Sequence, residues 1–224
     1  SLGKSIRLFD ENDQLGGIDP YSASKAGAEI AISSFTRSFF EEEETAWVAS
    51  ARAGNVVGGG DWSEFRLIPD CVRSLRDEVP IKLRSPQATR PWQFVLEPLA
   101  GYLLLGKRLA EEGKVFQGAW NFGPPVDNTK TVEHGAQATV EAWGEGTIER
   151  LPTAPFHESM LLQLDSTKAR RYLGWRSVVD FSETMQLTTD WYKHQHTSGD
   201  ASMREYSMRQ LDAFEELLNR EVSL

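Results

Sequence analysis

The sequence predicts an α/β fold, and three observations carry that prediction. Short apolar, β-rich runs alternate with longer amphipathic stretches along most of the chain. Two of these runs, "WVASARAGNVVG" (Trp47–Gly58) and "AWNFGP" (Ala119–Pro124), close in glycine or proline. That is the pattern of a buried strand entering a loop at its carboxyl end. Asp19-Pro20 is a helix-entry signal, and Ala28, Ala31, Ile32, Phe35 and Phe39 then recur at helical spacing.

Taken in order, the first helix opens at Pro20 and is expected to end in solvent at the acidic run Glu41–Glu44. The run from Trp47 follows as one buried strand entering a glycine-rich loop. "RLIPDCVRSLRDE" (Arg66–Glu78) reads as a helix and "IKLR" (Ile81–Arg84) as a short strand. "QFVLEPLAGYLLLGKRLAEEG" (Gln93–Gly113) reads as a turn into a long amphipathic helix, because its apolar residues keep a helical period. After the strand at Trp120 come the helical "VEHGAQATVEAW" (Val132–Trp143) and the strand-like "TIERLP" (Thr147–Pro152). Three helical stretches finish the chain: "STKARRYLGW", "SETMQLTTDWYKHQH" and "MREYSMRQLDAFEELLNR". The polar "HTSGDAS" (His196–Ser202) reads as a linker, setting off a last helix expected to pack on a neighbouring molecule.

Composition limits the partners. At 224 residues the chain holds one domain of ordinary size, or one and a half. A formal net charge of −9 argues against a nucleic-acid backbone or an anionic membrane. An anionic ligand must then be held by a local group of arginines. The single cysteine, Cys71, excludes an internal disulfide and fits a reducing compartment. No apolar run approaches the roughly 20 residues that span a bilayer, and no signal-peptide pattern is read at the start. A cytoplasmic protein is the expectation. The opening Ser1–Gly3 is left out of the fold reading as foreign to it; Gly3-Lys4-Ser5 lacks the upstream glycine of a P-loop.

Three sets of residues can carry chemistry. Tyr21 and Lys25, in "DPYSASKAGAE", lie four apart on a helix and share a face. A nearby ammonium favours the ionised form of a phenol, which suits a tyrosine to acid or base work. Such a pair also arises by chance in many helices. The glycine-rich "RAGNVVGGGDW" (Arg52–Trp62) sits where α/β sheets bind ligands, and Asn55 there can hydrogen-bond a carbonyl or phosphate. It is equally readable as a plain β-to-α turn, since Ser63 breaks the dinucleotide glycine spacing. Arg66, Arg84 and Arg90 stand near strand or helix ends, and guanidinium forks suit a diphosphate. The plainer alternative is three solvated arginines.

Other chemistries drop out. The four histidines have no cysteine or carboxylate partners at metal spacing, so no metal site is read; His194 and His196 are expected in solvent. No G-x-S-x-G nucleophile elbow occurs. Cys71 reads as inert core, and Trp47, Trp92, Trp120, Trp143, Trp175 and Trp191 as packing residues.

Together these strings resemble the extended short-chain dehydrogenase/reductase family, and within it the CDP-glucose 4,6-dehydratase branch. The matching segments are "LGGIDPYSASKAGAE", "RAGNVVGGGDW", "RLIPD", "RSPQATRPWQFVLEPLAGYLLL", "AWNFGP", "HESMLLQLDSTKARRYLGW" and "TTDWY". "GNVVGGGDW" with "ATRPWQ" separates this branch from the dTDP-glucose dehydratases and UDP-sugar epimerases.

The resemblance implies a Rossmann-like fold: its C-terminal part over residues 4–62, then a small α/β substrate-binding region over 63–195. A segment around 85–125 would return to the Rossmann sheet, and 196–224 would form a linker and helix. It implies that NAD takes a hydride from C4 of CDP-glucose, that water leaves across C5–C6, and that the hydride returns to C6. CDP-4-keto-6-deoxyglucose would be the product. In that scheme Tyr21 is the base on the sugar 4-hydroxyl, and Lys25 tunes it and bonds the nicotinamide ribose. Gly54 and Val56 line the nicotinamide side, while Asn55, Arg66, Arg84, Arg90, Glu97, His157 and Glu158 serve the nucleotide sugar.

Phe94 stands where the resemblance would put a histidine. The glycine fingerprint and dehydration acids of the family's first half have no counterpart in this sequence, so the isolated chain is expected to be inactive. A truncated nucleotide-sugar-binding or oligomerisation module and a related epimerase are the other readings. A homo-oligomer is expected, because the Tyr21–Phe39 helix and the Leu99–Glu112 helix commonly form the dimer bundle in this family.

Overall fold

The computed structural model describes residues 7–17, 19–40, 46–152 and 163–222. The chain divides into two compact units, each built from three segments. The first comprises Ser1–Ala53, Pro98–Gly123 and Leu164–Arg176. The second comprises Gly54–Glu97, Pro124–Gln163 and Ser177–Leu224.

In the first unit a short strand β1 (Leu8–Phe9) precedes helix α1 (Pro20–Phe35), which continues through a wider π turn to Phe40. The sequence dictates where α1 starts. Asp19 is extended and accepts from the backbone N–H groups of Tyr21 and Ser22, and Pro20 takes the first position, where no N–H is needed. A cap of this kind stabilises by about 1 kcal/mol.

Strand β2 (Ala49–Ala53) ends this segment, and β3 (Asn55–Val57) begins the second unit. The single strand expected over Trp47–Gly58 is therefore two, broken at Gly54 and built into different sheets.

The second unit continues with α2 (Leu67–Arg76), β4 (Ile81–Leu83) and β5 (Thr89–Phe94). Helix α3 (Leu96–Glu112) then leads back into the first unit, where β6 (Gly118–Phe122) pairs in parallel with β2. Alternation along β6 sends Trp120 and Phe122 to one face, against Leu105, Phe116, Leu173 and Trp175. A Cβ at Gly101 of α3 would lie 2.4 Å from the Phe122 ring, so the helix approaches the sheet only through glycine. The opposite face of the β2–β6 pair carries Ser50, Arg52 and Asn121.

Strand β7 (Thr129–Thr131), helix α4 (Val132–Trp143) and strand β8 (Ile148–Arg150) belong to the second unit. There β3, β5 and β7 form a three-stranded sheet, β3 parallel and β7 antiparallel to β5, while β4 pairs in parallel with β8. Strand β9 (Gln163–Leu164) returns the chain to the first unit, where Asp165 N–H donates to Phe9 O at 2.8 Å. A short helical turn at Ala169–Leu173 ends on Gly174, whose φ of 70° is the left-handed stop that glycine tolerates.

Helices α5 (Phe181–Ser198) and α6 (Met203–Val222) complete the second unit. Helix α5 starts with a capping box between Asp180 and Glu183. The core of the unit joins Cys71, Val72 and Leu75 of α2, Ile81 and Leu83 of β4, Trp92 of β5, Ala136 and Trp143 of α4, and Met185 and Tyr192 of α5.

The expected linker at His196–Ser202 is almost wholly helical, because α5 runs to Ser198 and a 3₁₀ turn covers Asp200–Ser202. The last helix packs within its own chain. Its Phe214 is buried edge-on to Phe94 at 6.2 Å, and Gln210 donates to Leu187 O at 2.8 Å. His194 is half-buried and stacked 4.3 Å from Tyr206, a correction to its expected place in solvent.

Candidate functional site

In the first unit, α1 carries Tyr21 and Lys25 on one face. The Lys25 Nζ lies 5.5 Å from the centre of the Tyr21 ring, and the tyrosine is 72% exposed. No residue of α1 is buried. One turn beyond Lys25, Glu29 ties the helix to the polar face of β2: its Oε2 accepts from Ser50 Oγ at 2.9 Å and from Arg52 Nη2 at 2.7 Å. The Arg52 hydrogen bond holds the Glu29 carboxyl below its ordinary pKa against the opposing effect of burial.

In the second unit, Asn55 starts β3 and stands opposite Trp92 in register. Val56 pairs with Gln93, so alternation sends Asn55 and Val56 to opposite faces of the sheet. The Gly54 Cα looks towards the Pro91 ring, which a Cβ there would meet at 3.7 Å. Arg90, at the start of β5, stands directly opposite Lys130 of β7. Lys130 was missed by the sequence reading because "TKT" carries no motif; only strand register brings it to Arg90. Arg84 follows β4 and is exposed.

The glycines of "GGGDW" have a packing role. A Cβ at Gly58 would lie 2.5 Å from Val95, and one at Gly59 would lie 2.0 Å from Trp191. The loop is pressed onto α5, where the buried Tyr192 hydroxyl accepts from Asp61 N–H at 3.0 Å and reaches Asp61 O at 2.7 Å. Asp61 in turn accepts from Arg66 Nη1 at 2.9 Å and from Ser63 N–H at 2.9 Å. Burial pushes the Tyr192 phenol up to about 12, so it stays a neutral hydrogen-bonding pin.

Glu97 lies at the start of α3, 1% exposed. Its Oε1 accepts from Ser177 Oγ at 2.6 Å and from the N–H groups of Val178 and Val179 at 2.8 and 3.0 Å. That arrangement fixes the segment entering α5, and burial raises the carboxyl's pKa despite these bonds. Cys71 is fully buried, and burial pushes its thiol up to about 12. His157 and Glu158 fall outside the described residues. The Tyr21–Lys25 pair and the Asn55–Arg66–Arg84–Arg90 group belong to different compact units. Among the described residues no group of histidine, cysteine and carboxylate side chains is arranged to hold a metal ion, and no helix is long and apolar enough to cross a membrane.

No protein-family model matches the chain. Among curated proteins, it is 43% identical over 190 residues to CDP-glucose 4,6-dehydratase of Salmonella typhimurium, covering 83% of this chain and 53% of that protein. It is 26% identical over 198 residues to human dTDP-D-glucose 4,6-dehydratase, again covering 53% of the relative. The chain thus spans about half the length of the curated relatives it matches.

Solved structures share the fold. The dTDP-glucose 4,6-dehydratase of Bacillus anthracis, in complex with NAD, has a TM-score of 0.68 at 22% identity, over 86% of this chain and 57% of that one. The UDP-glucuronic acid 4-epimerase of Bacillus cereus, solved with UDP-glucuronic acid and NAD, reaches 0.69 at 16% identity over 86% and 58%. Over its aligned residues the chain belongs to the extended short-chain dehydrogenase/reductase family, in the branch that holds the CDP-glucose 4,6-dehydratases.

Proposed function

We propose that this chain provides the acid/base helix and the nucleotide-sugar grip of a cytoplasmic NAD-dependent 4,6-dehydratase acting on CDP-glucose, with CDP-4-keto-6-deoxyglucose as product. The observation that carries the reading is the shared-face placement of Tyr21 and Lys25 on a capped helix, within a chain 43% identical to a CDP-glucose 4,6-dehydratase. The exposed phenol and ammonium fit the nicotinamide-ribose end of NAD, since both present donors at one helix face. When bound, NAD supplies a reversible hydride acceptor.

Tyr21 takes the proton of the sugar 4-hydroxyl at its phenolic oxygen, and Lys25 stabilises the charge that this proton transfer moves. The second unit, taken by itself, offers Arg66, Arg84 and Arg90 as cationic contacts for a diphosphate, with Lys130 opposite Arg90 in register and Asn55 as a neutral hydrogen-bonding partner. None of these residues supplies an acid for loss of water across C5–C6. Turnover by these 224 residues alone is therefore not expected. Helices α1 and α3 leave Phe35, Phe39, Leu99 and Leu103 exposed, which supports association of two copies as part of the same proposal.

Calorimetric titration with CDP-glucose, dTDP-glucose and UDP-glucose tests the reading. Saturable binding with CDP-glucose tightest is expected, weakened at least about tenfold in Lys130→Ala because a charge-assisted contact is worth roughly 1.5–3 kcal/mol. Absence of binding to every nucleotide sugar would overturn it.

A further inference from the structure

The loop that leaves β3 holds one residue in an unfavourable conformation. Phe65 has a φ of 63°, in the left-handed region that bulky side chains avoid. Its ring gains no burial in exchange, since it is 80% exposed. A strained residue persists only where its surroundings over-determine it, and this loop is bound from several sides. The Tyr192 hydroxyl grips Asp61, and the Trp62 ring meets Tyr192 edge-on at 5.2 Å. Arg73 donates to Trp62 O at 3.1 Å and to Ser63 O at 3.2 Å. Arg66 closes the turn on Asp61 at 2.9 Å.

These bonds hold an apolar ring out in water, next in sequence to Arg66. We infer that Phe65 is the stacking surface for the nucleobase of the nucleotide sugar, presented next to Arg66 so that base and phosphate are met by consecutive residues. An aromatic face beside a cation fits a heterocycle carrying a phosphate, because the ring takes the π-face and the fork takes the oxygens. Stacking is tolerant of base identity, so Phe65 supplies affinity more than choice of base. The inference rests on the nucleotide-sugar reading above.

The strain gives the test an unusual sign. Glycine adopts a φ of 63° without penalty. Phe65→Gly should therefore raise Tm by about 2–4 °C, the scale of a ~1 kcal/mol gain in a chain of this size, while weakening binding. The dissociation constant for CDP, read by calorimetry on the whole chain, should rise at least ~5-fold, the lower end of a stacking contribution. Phe65→Trp should restore it, since it keeps an aromatic face at the same strained position. A loss of affinity confined to the glycine variant, alongside greater stability, separates ligand contact from a structural role. Phe65→Gly binding CDP as tightly as the unchanged chain would overturn the inference and leave the nucleotide-sugar reading intact. Failure of the unchanged chain to bind CDP would overturn both.

Discussion

Glu29 shows how one side chain connects sequence spacing to function. It extends the Tyr21–Lys25 stripe by another helical turn, and its carboxylate anchors α1 to Ser50 and Arg52. Because the fold lowers the Glu29 pKa, its stabilising contribution is present above the ordinary glutamate value and lost as pH falls through the folded value. The gap in urea midpoint between the unchanged chain and Glu29→Gln should be widest near pH 7 and shrink towards pH 3. An equal gap at both pH values would refute the linkage. Tyr21 and Lys25 were legible in the sequence because helical geometry relates residues four apart. Glu97 was named only through the family resemblance, because its hydrogen bonds come from Ser177 to Val179, far along the chain. Lys130 was hidden for the same reason, as only the pairing of β5 with β7 sets it against Arg90.

Among the elements, helices were more legible than strands. The stretch "VEHGAQATVEAW" is α4 from end to end, fixed by its Thr131 cap and by Gly144 at a φ of 106°. The run from Trp47 could not be divided in advance, since β2 and β3 differ in their partners and not in their residues. Its glycine-rich end was placed where α/β sheets bind ligands; at Gly58 and Gly59 the space beside the backbone belongs to Val95 and Trp191. Gly59→Ala should therefore destabilise the second unit by about 1–3 kcal/mol, the usual cost of overpacking, measured by urea unfolding. Trp191→Ala in the same chain should recover part of the loss by removing the clash. Additive penalties would contradict this account of the loop. The last helix was expected to pack on a neighbour; within its own chain Phe214 is buried and Gln210 donates to Leu187 O.

At the scale of the molecule, the two units differ in how they use apolar surface. The second encloses a core around Trp92, Trp143 and Tyr192, while α1 in the first buries no residue. Phe35 is 61% and Leu103 78% exposed, which underlies the proposed association. Sedimentation of the unchanged chain should depend on concentration, and the double variant Phe35→Glu, Leu103→Glu should sediment as a monomer. A monomer at all concentrations before substitution would remove the proposal.

The central claim is that a CDP-sugar is held by the loop ending at Arg66 together with the β5–β7 edge at Arg90 and Lys130. An amide chemical-shift map recorded during titration with CDP-glucose tests it most directly. The account predicts saturable shifts, with one midpoint, at Asn55, Phe65, Arg66, Arg90 and Lys130. Shifts confined to α4, α5 and α6, or none that saturate, would contradict it.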